Sequence, residues 1–296
     1  MQVSAADGSP LRGDLVTRVV LRTDLTPVPS SVEITVVQTR ETLAAIRSGA
    51  VVRVGASQAE YRLEKVQRLD GMVRRGEREF AAMRATGFLN SCAALARPLS
   101  RSIIREGSSF AEIYRSIGAD AQIGADFTVP SFAALIGMSP TPAIARVLQE
   151  EGACVFYAGG KLQFRRLQEL AGSKAVISYE EDRTEAVDSD TLERHGVPFA
   201  FTTLADNTIS ATKRETGRGV VYRPRADARI LNNMGVALVT RRKKREGLSP
   251  DFNAGTRVDI AGSAYIVVTA AHVRQIPDDG ESGEEFTQLW LGEVLS

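Results

Sequence analysis

The chain has 296 residues, of which 43% are hydrophobic and 25% charged. That composition excludes a disordered chain and predicts one large domain or two ordinary ones, with ample sequence to bury a core. A formal net charge of +1 excludes a global basic field for holding nucleic acid, and a global acidic one.

Residues 15–22 (LVTRVVLR) and 32–38 (VEITVVQ) are β-branched and partly alternating, so they predict strands around a turn-rich 26–31 connection. Residues 39–48 predict a short helix, with Thr39 and Thr42 as capping groups, Leu43 and Ile46 on one face, and Gly49 as its end. Residues 51–54, 61–69 and 80–89 predict further strands. In the second, Tyr61, Leu63 and Lys65 alternate with Arg62, Glu64 and Val66; in the third, Gly87 marks a bend or bulge.

Beyond Pro98 the pattern changes. Residues 106–118 predict a helix with Ser109 and Glu112 as a capping box, and Phe110, Ile113, Tyr114 and Ile117 on one stripe. A second helix spans 143–151, with Thr141 as N-cap, Pro142 as first helical residue and Gly152 as stop. Residues 154–157 and 162–165 then flank the glycine-rich turn 158–161 as a hairpin. Residues 175–181, 198–204, 208–213, 219–224 and 235–241 predict strands. Next come the basic cluster Arg241, Arg242, Lys243, Lys244 and Arg245, a turn at 246–250, and a hairpin formed by 257–260 and 264–273. From Gln275 the chain is acidic and glycine-rich, read as a mobile loop before a short apolar end at 286–295. Strands, a small helical unit, then strands again, without β-α-β alternation, predict an α+β fold.

Catalytic signals are sparse. No GxSxG, HExxH or GxGxxG occurs, and Gly159-Gly160-Lys161 lacks both the hydroxyl residue and the context of a phosphate loop. His195 reads as a loop residue and His272 as a half-buried strand residue. Glu150-Glu151 and Glu180-Glu181-Asp182 could serve a glycosidase, but adjacent acids at element ends read more simply as solvated termini. Asp278, Asp279, Glu281, Glu284 and Glu285 lack the spacing of an EF-hand. Cys92 and Cys154 form no CxxC pair and read as small buried hydrophobes in a reducing compartment. Arginine supplies 31 of the 37 basic residues; that suits bidentate interface contacts, and GC-rich codon usage gives the same count. Residues 241–245 could touch nucleic acid, although no aromatic side chain is interleaved for stacking; a solvated loop is the simpler reading. Residues 1–13 show no leader pattern, no apolar run predicts a membrane span, and neither cofactor nor metal is expected.

The helix–helix–hairpin segment also carries a resemblance. Residues 104–118, the stretch 141–152 ending in Leu148, Glu150, Glu151 and Gly152, and the hairpin with Phe156, Tyr157 and Gly160-Lys161-Leu162 resemble the baseplate hub proteins of tailed phages. These include late-control-D proteins and the N-terminal part of type VI secretion spike proteins. Residues 255–260 and the strand after them resemble the end of that family's second barrel. The resemblance implies two tube-like antiparallel β-barrel domains, at 1–100 and 173–276, with a helix–helix–hairpin insertion at 101–172 and an acidic tail at 277–296. It implies a non-enzymatic homotrimer in the virion tail tip, forming a pseudo-sixfold ring between the tail tube or a distal tail protein and a central spike or fibre. Tape-measure protein and DNA would pass through without specific binding, and no stable membrane insertion is implied. The segment 241–245 would lie at an interface or in the channel. A tail-associated cell-wall hydrolase and a nucleic-acid-binding protein using Arg241 to Arg245 are the competing expectations.

Overall fold

Alternating apolar residues organise a sheet that runs through the whole chain. A computed structural model describes residues 1–75, 78–187, 199–212, 220–224, 226–276 and 283–295, with only the backbone described for 70–75, 78 and 79. The first half contributes β1 (Val3–Ala5), β2 (Val16–Asp24), β3 (Ser30–Val37), β4 (Val51–Val54), β5 (Ala59–Arg75) and β6 (Arg78–Leu89). Helix α1 (Arg40–Ala45) starts at the expected Thr39 and Thr42, which exchange capping hydrogen bonds.

The second half contributes β11 (Ile177–Tyr179), β12 (Glu185–Ala186), β16 (Ala237–Gly247), β17 (Arg257–Ile260), β18 (Ser263–Gln275) and β19 (Glu284–Leu295). The main path runs β1-β4-β5-β6-β3-β2-β18-β19-β16-β12, with β17 and β11 branching from β18. All the pairings are antiparallel except β11 with β17.

Of the expected tube-like antiparallel β-barrels, the antiparallel, β-rich character is present, but no closed barrel forms among the described residues. Among the described residues the path is open. The two halves share one sheet, because β2 pairs with β18 from Asp24–Thr269 to Arg18–Gln275. Instead of closing on itself, the first half-sheet covers its apolar face with the helical unit. Val19, Ile34, Val52, Tyr61 and Leu63 share one core with Phe110, Ile113, Ile144, Val155 and Phe164.

That unit comprises a 3-10 helix (Asn90–Ala96), β7 (Ile103–Ser109), α2 (Phe110–Ile117), β8 (Thr128–Ala134), α3 (Thr141–Glu150), the hairpin β9 (Ala153–Ala158) and β10 (Lys161–Arg166), and α4 (Leu167–Ala171). The Ser109–Glu112 capping box forms as expected, and Gly118 ends α2 in the left-handed conformation. Residues 106–109, however, are strand rather than helix, because β7 pairs with β8 up to the cap. Helix α3 begins one residue early: Pro140 already has helical backbone angles and accepts from Ile144 N, so Thr141 is inside the helix and not its cap. The β9–β10 turn uses Gly159 and Gly160 at φ 59° and 77°, the conformation that a two-residue I′ hairpin needs.

Further corrections concern the strands. The alternation expected at residues 61–66 breaks at a bulge between Leu63 and Lys65, opposite Gly87. Lys65 is therefore exposed while Val66 packs on the core. Residues 241–245 are not a loop but the middle of β16. The apolar end expected as part of a tail is β19, paired on both edges. The strands expected at 198–204, 208–213 and 219–224 form a small module, in which β13 (Phe199–Thr203) lies between β14 (Ile209–Ala211) and β15 (Val220–Tyr222); sequence reasoning missed β1 and the helix α5 (Ala228–Met234) that follows the module. His195, Asp278, Asp279 and Glu281 lie outside the described residues.

Candidate functional site

The basic strand is held between β19 on one edge and β12 on the other, with a register shift between Thr240 and Arg242. Every basic side chain in it meets an acid. Arg241 reaches Glu293 (4.0 Å), Arg242 Asp182 (3.4 Å), Lys243 Glu185 (3.5 Å), Lys244 Glu246 (2.9 Å) and Arg245 Glu284 (3.2 Å). Two cations also sit over rings: the Lys244 ammonium 4.3 Å from the Tyr179 centroid, and the Arg245 guanidinium 3.7 Å from that of Phe286. Burial together with Glu246 pushes the Tyr179 phenol well above its ordinary range. Hydrogen bonds from Thr184 hold the Asp182 carboxyl below its own. The cluster is thus neutralised from within. A nucleic acid would have to displace five carboxylates before gaining any counterion release.

The carboxylate pair expected as a solvated terminus is buried. Glu150 and Glu151 are 6% and 2% exposed. Arg223 (2.8 Å) and Arg146 (3.7 Å) reach Glu150, while Arg166 (2.8 Å) and Arg229 (2.9 Å) reach Glu151. Burial of two charges demands such partners. The Leu-x-Glu-Glu-Gly pattern therefore serves to clamp the end of α3 to β10 and to the module carrying α5. The module's Asn233 amide donates to the Glu150 carbonyl at 3.2 Å, and a Cβ on Gly152 would lie 3.1 Å from the Asn233 oxygen. Glu181, proposed for hydrolytic work, is exposed and bound by Arg183 at 2.6 Å.

A cleft of about 820 Å³ opens where the β9–β10 tip meets both half-sheets, lined by Leu21, Gln58, Tyr157, Pro250, Asn253 and His272 among others. His272 is buried rather than half-buried, and its Nδ1 lies 3.0 Å from Thr287 Oγ1; burial lowers its pKa. Cys92 and Cys154 are free and buried, and burial pushes both thiols up to about 12. Among the described residues no group of three or more His, Cys, Asp or Glu could hold a metal ion, and no helix is long and apolar enough to cross a membrane.

No protein-family model matches the chain, and no curated protein matches it. Solved structures do. A tail protein from Neisseria meningitidis aligns over 99% of this chain and 95% of its own, with TM-score 0.63 and 11% identity. The 43 kDa tail protein of prophage MuSo2 from Shewanella oneidensis aligns over 98% and 96%, with TM-score 0.61 and 12% identity. An Escherichia coli type VI secretion component, described as structurally similar to the T4 tail proteins gp27 and gp5, aligns over 100% and 77%, with TM-score 0.55 and 10% identity. The chain has the fold of these tail proteins.

Proposed function

We propose that this chain is a structural, non-catalytic subunit of a phage tail tip, working as the hub ring. The observation that carries the proposal is a tail-protein fold spanning the whole chain. Two side-by-side half-sheets in one chain support the finer reading. Each would stand for one tail-tube subunit, so three copies would give a pseudo-sixfold ring. Such a ring would sit in the virion between the tail tube or a distal tail protein and a central spike or fibre, and tape-measure protein and DNA would pass through it. The internally neutralised strand 241–245 suits a channel wall or a subunit contact, because a neutralised surface would not hold passing DNA. Sedimentation of the purified chain, alone and with tube protein, tests the proposal together with electron microscopy of tail tips. A trimer and a threefold ring are expected. A chain that stays monomeric with the tube protein, or a tip density without threefold symmetry, would overturn it.

A further inference from the structure

Positive charge without an internal partner lies away from the basic strand. A notch of about 570 Å³ opens between the end of the 3-10 helix, the approach to β7 and the end of α2, and its lining includes Arg97, Arg101 and Arg115 but no acidic residue. Arg97 is tied to Glu64 at 3.1 Å. Arg101 and Arg115 are exposed and have no acidic partner among the described residues, unlike the five cations of β16. Leu99, Ile103 and Ile117 supply an apolar floor. The strand end beside it adds exposed apolar surface: Leu99 N donates to Met138 O at 3.0 Å, and Met138, Ile136 and Leu135 are 49%, 64% and 54% exposed.

We propose that this notch docks an acidic segment of a partner protein, with carboxylates on Arg101 and Arg115 and an apolar side chain on the floor between them. Guanidinium groups bind carboxylates in bidentate pairs. A rim of such pairs around an apolar centre is the usual anatomy of a protein contact. The same features weigh against nucleic acid, since the lining holds no aromatic side chain for a base to stack on. The site is distinct from the strand 241–245, and its occupation does not require the trimer.

The test is fluorescence anisotropy at low salt on the full chain, using a labelled acetyl-Asp-Glu-Leu-Glu-Asp-amide peptide, its lysine counterpart, and a short DNA duplex. The acidic peptide should bind and the lysine peptide should not. The double variant Arg101→Glu, Arg115→Glu should weaken binding about tenfold or more. A second pair, Arg40→Glu with Arg47→Glu, removes exposed cations that likewise have no acidic partner among the described residues but lie outside the notch, and should leave binding unchanged. Should the charge reversals disturb folding, Arg101→Gln with Arg115→Gln removes the same contacts more gently. The proposal fails if the acidic peptide does not bind, if the notch variants bind it as well as the native chain, or if the Arg40–Arg47 pair weakens it equally. Tighter binding of the duplex, lost with Arg101 and Arg115, would assign the notch to nucleic acid instead.

Discussion

His272 shows how a single buried side chain ties this fold to pH. It sits in β18 against Thr287, itself fully buried, and desolvation lowers its pKa below the ordinary 6.5. The unfolded chain therefore binds that proton more readily than the folded one. The stability owed to a neutral His272 is complete above pH 6.5 and is lost as the pH falls through the lower folded-state value. Urea unfolding followed from pH 8 to pH 5 should show a steeper acid loss for the native chain than for His272→Gln. Parallel curves for the two proteins would mean that His272 does not titrate differently on folding. Gly255 makes a different demand at the same scale. At φ 83°, its absent Cβ leaves room for the Phe156 ring, which a methyl group would approach to 2.6 Å. The resemblance placed Gly255 at the start of a barrel's end, whereas its packing role joins the hairpin to the second half-sheet.

Among the elements, α3 carries the heaviest electrostatic demand. Its last turn and cap bury Glu150 and Glu151, and four arginines from three elements and a connecting segment converge on them. Glu151→Ala removes the acceptor of three charge-assisted hydrogen bonds from Arg166 and Arg229, so it should cost about 3 kcal/mol in urea unfolding. Arg229→Ala should cost less, because Glu151 keeps Arg166 at 2.8 Å and the Arg229 side chain is already 44% exposed in the fold. A Glu151→Ala loss below about 0.5 kcal/mol, the ordinary range for surface changes, would show that the clamp is only apparent. The helical unit was legible from sequence because its signals are local. Ser109 with Glu112, Gly118, and Gly159 with Gly160 each fix their own backbone within a few residues. The first part of strand β16 was legible at 235–241, but its continuation through Gly247 was not, since five consecutive cations hide the alternation that betrays a strand, and their acidic partners come from residues 182, 185, 246, 284 and 293. Helix α5 was passed over between strand-like runs, and its Asp227 cap accepts from Ile230 N without the second half of a capping box. The clamp itself escaped notice because burial of adjacent glutamates depends on arginines 15 and 78 residues away.

The whole molecule is joined at the β2–β18 seam, and that makes a testable claim about cooperativity. Barrels expected at 1–100 and 173–276 would unfold separately. A shared sheet, with Cys154 and Phe156 of the hairpin packed against Ala254 and Ile266 of the second half, couples them. Trp290, the only tryptophan, lies in β19 opposite Lys243 and Thr269, so its fluorescence reports on the second half. Gly87 lies far from it in sequence, on β6, where an added Cβ would meet the Arg62 backbone oxygen at 2.7 Å and the Leu63 side chain at 3.1 Å. The backbone cannot yield as a flexible side chain would, so Gly87→Val should cost about 1–3 kcal/mol. If the seam couples the halves, the lesion lowers the urea midpoint read by Trp290 as much as the midpoint read by far-UV circular dichroism, and each protein unfolds in one transition. A Trp290 midpoint that stays at the native value while the dichroism midpoint falls would separate the halves. It would also remove the physical basis for one cooperative body spanning both halves of the open sheet.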